Sequence, residues 1–402
     1  MLTVEEALEQ ILSRTRVHEP ESLDVTEALG RILAEPVVSR REIPPWPNSS
    51  MDGYAIRAGD TLAGPAHLAV VAHIAAGVLP SRPIAAGEAA RIFTGAPLPD
   101  GADAVVPQED VEADGSHVRV PGGIARGAFV RPRGEDVRPG DHVLSPGQRL
   151  GAAEVGLLAT LGHSPVRVYR RPRVAVLSTG NELADLGVEP APGQIPNTNT
   201  YALMAQALEA GAEPVNLGIA PDDLEAIERR VQSGAGADVF LSSAGVSVGE
   251  FDLVREALTR AGAELHLWQV SMRPGKPITF GSLGRTLVFG LPGNPVSAMV
   301  TFELFVRPAL LRMSGSAVLH RPRLSARAQS SIPNPGYRRG YLRVRLRRAG
   351  DGFEAELTGD QGSAILRSMT LADGLVVVPG NTTIAAGDPV DVILLRSLDF
   401  VG

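Results

Sequence analysis

The sequence predicts an α/β multidomain chain centred on a doubly wound domain, with β-rich segments before and after it. Three observations point there. Between residues 172 and 308, short apolar runs alternate with amphipathic stretches of helical length, the pattern of βαβ units. Between 60 and 134, Gly and Pro cut the chain into short apolar runs at the spacing of a small β domain. From about Ala317 onward, charged and apolar residues alternate with a period of two.

The chain has 402 residues, 44% of them hydrophobic, enough for about two to four domains at roughly 100 to 200 residues each. A net charge of −7 argues against general nucleic-acid binding or membrane-surface attachment, which call for a basic balance. With no cysteine, disulfides, thiolate metal sites and cysteine nucleophiles are excluded. The first residues lack a basic segment followed by an apolar core, and no run of 18 apolar residues occurs, so the expected location is cytoplasmic.

In chain order, Thr3 and Glu6 form a capping-box pair that starts a helix with Leu8, Ile11 and Leu12 on its apolar stripe, ending near Arg16. A short helix around 26–29 stops at Gly30, and this first region reads as a packing or dimer module. Residues 43–50 hold Pro44, Pro45 and Pro47, which exclude helix and central strand and read as a rigid linker. Met51-Asp52-Gly53-Tyr54-Ala55-Ile56 reads as a turn. Asp52 there is first of all a solvated turn aspartate, with presentation to a site as the sharper possibility. Strands follow at 67–72, 90–93, 104–106 and 117–120, and the polar loop 94–103 offers Thr94 to a ligand. His67 and His73 read as strand surface rather than a metal pair. The segment 131–141 returns the chain to the first module, and a helix over 152–161 is closed by Gly162.

The central domain then reads as strand 173–177, helix 198–210, strand 214–217, helix 222–232, strand 238–241, helix 252–260, strand 265–270, strand 286–289, and a helix from Val296 ended near Pro308. Three strand ends share one grammar. Ser178-Thr179-Gly180-Asn181-Glu182, the run from Ser242 to Asp252, and Gly290-Leu291-Pro292-Gly293-Asn294-Pro295-Val296-Ser297 each place Ser or Thr and Gly beyond a strand. In an open α/β sheet that edge is where ligands bind, and N–H groups at a helix start suit an anion. Neither the dinucleotide nor the P-loop fingerprint is present. The loop Met272-Arg273-Pro274-Gly275-Lys276-Pro277 instead holds two cations on a proline-stiffened turn, which an oxyanion partner explains.

Nine arginines lie between Ala317 and Asp351, but Arg343, Arg345 and Arg347 alternate with Leu342, Val344 and Leu346. That spacing predicts a half-buried strand with a charged outer face. Further strands at 353–357, 375–378 and 390–395 complete a small C-terminal β barrel.

Seven motifs taken together resemble the molybdopterin molybdenumtransferase family, which includes the E domain of gephyrin. They are Met51 to Ala55, Thr94-Gly95-Ala96-Pro97, Ser178 to Leu183, Gly193-Gln194-Ile195-Pro196-Asn197-Thr198-Asn199, Gly245 to Glu250, Pro274-Gly275-Lys276-Pro277 and Gly290 to Ser297. The resemblance covers essentially the whole chain. It implies an elongated dimerisation module at 1–46 and 135–168, an inserted β domain at 47–134, a molybdopterin-binding α/β domain at 169–315 and a barrel at 316–402. It also implies a homodimer whose cleft joins the α/β domain of one subunit to the β insertion of the other.

The activity so implied is insertion of molybdate into adenylated molybdopterin with release of AMP, assisted by Mg²⁺. Asp52, Thr94, Glu182, Asp252 and Lys276 are then the catalytic candidates. Gly245, Ser247, Gly249, Arg273, Gly293, Asn294 and Ser297 are expected to hold the anionic substrates, and Glu182, Asp222 and Asp252 to offer oxygen ligands to Mg²⁺. The sequence leaves open which carboxylate binds metal and which positions water. Implied partners are a molybdopterin adenylyltransferase and client molybdoenzymes, with no nucleic acid and no membrane. Two departures stand out: Asn181 where the family usually has Asp, and Ala244 where it usually has Gly. A scaffold of the gephyrin E-domain type and a nucleotide hydrolase sharing only the molybdopterin-binding domain are the alternatives.

Overall fold

The computed structural model describes residues 1–243 and 253–397. The chain divides into two compact units: Met1–Ala34, Pro146–Val155 and Pro165–Gly402 make the first, and Glu35–Ser145 with Gly156–Ser164 the second.

A six-stranded sheet lies at the centre of the first unit, in the order Glu213–Ala220, Arg173–Thr179, Val239–Ser243, Thr286–Leu291, Pro277–Leu283, Glu264–Gln269. The first four strands are parallel. Alternate residues of these strands enter two cores. Val174, Val176, Leu241 and Phe289 pack with Leu203 and Ala207 of helix Asn199–Glu209. Ala175, Leu177, Phe240 and Val288 pack with Ile227, Val231, Val254 and Leu258 of helices Leu224–Gly234 and Leu253–Arg260. Helices on both faces are what make the sheet doubly wound.

Pro277–Leu283 runs antiparallel to both its neighbours, so the sheet is mixed rather than wholly parallel. Pro277–Leu283 is the strand that a reading of 272–277 as an isolated basic loop conceals. Only Gly284 and Arg285 separate it from Thr286–Leu291, and so short a connection permits only an antiparallel pair. The helix expected to stop near Pro308 also continues. Helix Pro295–Thr301 passes through a π-helical turn, Phe302–Val306, into helix Arg307–Met313. Pro308 sits in the first turn of that last segment, where a missing N–H costs little.

The N-terminal helix, Val4–Arg14, has the expected capping box at Thr3 and Glu6. Its fully buried residues are Val4, Ala7 and Ile11, which join the core of the α/β sheet, with Leu8 packed against it.

In the C-terminal barrel, Arg339–Ala349 pairs with both Gly352–Leu357 and Gly374–Val378. Pro389–Leu394 bridges Gly374–Val378 to Arg323–Ala328, which closes the ring against Gly352–Leu357. Leu342, Val344 and Leu346 point into its core as their spacing predicts. Arg345 and Arg347 are exposed, but Arg343 is not: it is fully buried. The segment after the next strand folds over this position. The Arg343 Nε donates to Ser368 Oγ at 2.9 Å and Nη2 to the Gly362 carbonyl at 3.0 Å. Periodicity reports a face of a strand and not what later covers it.

The second unit holds a sheet in the order Ala104–Pro107, Gly53–Ile56, Glu88–Ile92, Ala66–Ile74, His117–Val120, Glu112–Ala113. His67 and His73 are exposed on its long strand. Residues 53–56, expected as part of a turn, form an interior strand of this sheet. Gly53 is required there because a Cβ at that position would run into the Val106 carbonyl oxygen. The proline-rich segment before it is tied in as well: Asn48–Ser49 pairs with Val130–Arg131, and Ser49 N–H donates to the Ala96 carbonyl at 3.0 Å.

Candidate functional site

Three parallel strands end side by side, with Ser178 in register with Ser243 and Ser243 with Leu291. Their carboxyl ends open into a crevice of about 570 Å³, lined among others by Thr179, Glu182, Asn197, Asn199, Gly293 and Asn294. This is the edge at which open α/β sheets hold ligands.

A buried hydroxyl and amide network forms its floor. Ser178 Oγ lies 2.7 Å from both Thr200 Oγ1 and Ser243 Oγ, and donates to Asn197 Oδ1 at 3.2 Å. Asn197 Nδ2 donates to Thr200 Oγ1 at 3.0 Å. Because these groups satisfy one another, they fix the start of helix Asn199–Glu209 against the strand ends at no cost in unpaired polar atoms. Asn199 then reaches across, its Nδ2 donating to the Gly293 carbonyl at 2.7 Å. That bond holds the turn that carries Gly293 and Asn294 and leads into helix Pro295–Thr301, where Ser297 is buried and is not part of the crevice lining.

A third wall comes from the barrel. Asn294 Nδ2 donates to Ser363 Oγ at 3.0 Å, the Val296 N–H donates to the Ser363 carbonyl at 3.0 Å, and Ala364 lines the crevice. Sequence reasoning assigned Ser363 and Ala364 no role. Their only local signal is the polar turn Gln361-Gly362-Ser363, which lies 69 positions from Asn294 and reads as a loop between strands. Asn197, Thr198 and Asn199 were visible as a motif but without a function.

At the rim, the Asn181 N–H donates to Asp222 Oδ2 at 3.2 Å and the Asp222 N–H to Asn181 Oδ1 at 3.2 Å. Asn181 needs only to accept here, and an amide does so without setting a second carboxylate against Asp222. Glu182 is exposed on the crevice wall. The basic loop packs on helix Pro295–Thr301: Gly275 has φ +98°, and a Cβ there would come within 2.5 Å of the Thr301 hydroxyl. Arg273 is exposed on the short strand Met272–Arg273, and neither it nor Lys276 is part of the crevice lining.

The structure brings Asp52 and Thr94 together within the second unit. Asp52 Oδ1 accepts from the Thr94 backbone N–H and from its hydroxyl, each at 2.8 Å. Those two bonds, backbone first, hold the Asp52 carboxyl below the usual aspartate range, with Arg91 adding a weaker pull. Gly245, Ser247, Gly249 and Asp252, with Ala244, lie outside the described residues. Among the described residues no three His, Asp or Glu side chains gather as a metal site. Glu182 and Asp222 are hard oxygen donors, however, and Mg²⁺ is commonly held by one or two carboxylates together with substrate phosphate and water. Both are donors of the kind that ion takes.

The sheet order and the crevice at its carboxyl edge, walled in part by the barrel, define a multidomain ligand-binding α/β protein. The chain belongs to the MoeA family. Residues 2–162 match the MoeA N-terminal region (domain I and II), 175–312 a probable molybdopterin binding domain, and 325–395 the MoeA C-terminal region (domain IV). It is 39% identical over 387 residues to a protein of Nostoc named molybdopterin molybdenumtransferase, covering 94% of this chain and 88% of that one. It is 37% identical to molybdopterin molybdenumtransferase 1 of Mycobacterium tuberculosis, over 98% of this chain and 99% of that one. The crystal structure of a molybdopterin biosynthesis moeA protein from Pyrococcus horikoshii matches with a TM-score of 0.83 at 29% identity, over 98% of this chain and all of that one. No helix among the described residues is long and apolar enough to cross a membrane.

Proposed function

We propose that this enzyme of molybdenum cofactor biosynthesis inserts molybdate into adenylated molybdopterin and releases AMP, with Mg²⁺ assisting. The observation that carries the reading is the crevice at the carboxyl ends of three parallel strands, in a chain whose relatives are named molybdopterin molybdenumtransferases. Molybdate and a pyrophosphate linkage are both multiply charged anions, so the chemistry asks for donors and cations around one cleft.

Several groups of this chain suit that task. Asn199 and the floor network hold the Gly293 turn rigid, so that its backbone meets an anion without reorganising. Arg273 and Lys276 supply positive charge beside that helix, each charge-assisted hydrogen bond being worth roughly 1.5 to 3 kcal/mol. Glu182 and Asp222 are the described residues that would hold Mg²⁺. When bound, the ion would stabilise negative charge developing on the phosphate oxygens as the linkage breaks. Asp52, kept ionised by Thr94, is an acceptor placed to orient or deprotonate a group on the substrate.

The chain acts as a homodimer in this reading, with the Asp52–Thr94 turn of one protomer completing the crevice of its partner. An adenylyltransferase supplies its substrate and molybdoenzymes take its product. The test is to incubate the pure protein with adenylated molybdopterin and molybdate, with and without Mg²⁺, and to follow AMP and active cofactor. AMP release that needs both ions supports the reading. Release indifferent to molybdate points instead to a nucleotide hydrolase.

A further inference from the structure

We infer a second anion site, distinct from the crevice: a cavity of about 190 Å³ in the first unit that takes a tetrahedral oxyanion of the phosphate class, free or as a phosphate monoester. Four arginines, Arg31, Arg149, Arg171 and Arg307, line it, with Ile32 and Leu311 among the apolar walls. At about 30 Å³ per water, the space holds a phosphate group and a few waters.

The charges around the cavity do not balance. Arg31 is buried and tied to Glu21 and, at 2.8 Å, to the Tyr169 carbonyl. Glu303 is buried and committed to Arg321, which it meets at 3.0 and 3.1 Å, while Glu209 lies 3.4 Å from the same arginine. Arg307 therefore meets Glu303 only at 3.9 Å, too long for a hydrogen bond; its Nη1 donates to the Leu319 carbonyl at 3.3 Å, and its buried Nε has no hydrogen-bond partner. Arg149 and Arg171 have no hydrogen bond or ion pair on their guanidinium groups among the described residues. Counting the lining and its immediate partners, five guanidiniums face three carboxylates. A phosphate monoester carries about −1.5 to −2 at neutral pH and matches that excess of two.

Physical cost points the same way. Burial, then Arg321 and Arg149, push the Arg307 guanidinium below the usual arginine range, against the opposing pull of Glu303. Like charges gathered around a cavity with an orphaned N–H raise the free energy of the empty site, and an oxyanion accepting from several guanidiniums relieves it. The site candidates Asp52, Glu182, Arg273 and Lys276 contribute nothing to this lining.

The experiment measures thermal stability with inorganic phosphate or AMP against chloride of equal ionic strength. It compares the wild type, the double variant Arg149→Ala/Arg171→Ala, and Arg345→Ala as an exposed control on the barrel. Both cavity arginines lack partners, so their removal leaves the fold intact. The expected result is a rise of roughly 2 to 4 °C with phosphate in the wild type and the control, lost in the double variant. AMP acting where phosphate does not would assign the site to the monoester, and the converse to the free ion. Either supports the site. The site is overturned if neither phosphate nor AMP gives the wild type any protection, beyond that of chloride, that the double variant loses, since protection surviving in the double variant belongs to the crevice. Sedimentation showing that the double variant alone loses a dimeric mass also overturns it, because the cavity would then be covered by a second copy. AMP release from the double variant should equal wild type, which keeps failure here separate from failure of the crevice reading.

Discussion

Asp52 and Asp238 are both aspartates held ionised by hydrogen bonds, and the contrast between them separates a functional candidate from a structural one. Asp238 is half-buried in the first unit, where Arg170 donates to it twice at 2.7 and 2.9 Å, the Arg173 N–H at 2.7 Å, and His18 lies 3.3 Å away. Burial pushes its carboxyl up, but His18, Arg170 and the Arg173 N–H outweigh that and hold it far below the usual range. Asp52 accepts two bonds from a single residue, Thr94, at an exposed turn that closes no core. The more strongly shifted group is the one that ties strand Arg173–Thr179 to its neighbour, so a depressed pKa marks the density of donors and not a reaction. What sets Asp52 apart is spare capacity: its Oδ2 is left for another partner.

That contrast can be broken in several ways. The largest effect expected is on turnover: Asp52→Ala should lower AMP release by about 100-fold, the scale of a lost acid–base or orienting group, with the melting temperature little changed. If Asp52 is only a turn aspartate, the melting temperature falls instead and turnover per folded molecule stays normal.

Asp238→Asn should do the reverse, costing roughly 2 to 3 kcal/mol of stability in a urea titration as Arg170 and His18 lose a partly buried anion. Its turnover per folded molecule should match wild type. A pH series sharpens this further. Asp238 has its pKa lowered in the folded chain from an ordinary 3.8, so the unfolded chain binds the extra proton first. Its contribution is therefore complete above the ordinary value and is lost as pH falls below it. Wild type should lose stability with acid more steeply than Asp238→Asn, and parallel curves would remove Asp238 as the cause.

Among the anion and metal candidates, Arg273→Ala should raise the molybdate concentration needed for half-maximal AMP release by about tenfold. Glu182→Gln should instead shift the Mg²⁺ dependence. Identical defects in both variants, accompanied by loss of pterin binding, would mean that anion and metal are not held by separate groups. The smallest effect expected is at Thr94. Thr94→Ala removes one of the two bonds to Asp52 and should cost only several-fold in turnover, while Thr94→Ser, which keeps the hydroxyl, should recover most of it.

The sequence by itself determined what depends on neighbours close in the chain. Thr3 and Glu6 specify a capping box within one helical turn. The runs at 173–177, 238–241 and 286–289 specify buried strands by length and composition, observed at 173–179, 239–243 and 286–291, and the helices expected from periodicity at 198–210 and 222–232 are observed at 199–209 and 224–234. The Gly and Ser residues after those strands marked the crevice edge because only one side of an α/β sheet collects them. Tertiary structure decided the rest. Arg343 was periodic with exposed arginines and is buried, because the segment that covers it lies beyond another strand. Ser363 meets Asn294 across 69 positions, and the four arginines of the second cavity come from residues 31, 149, 171 and 307. No local pattern encodes such pairs. Periodicity fixes which face of an element is apolar, whereas the identity of what packs on that face is set by chain closure over long separations, where many sequences satisfy the same contact.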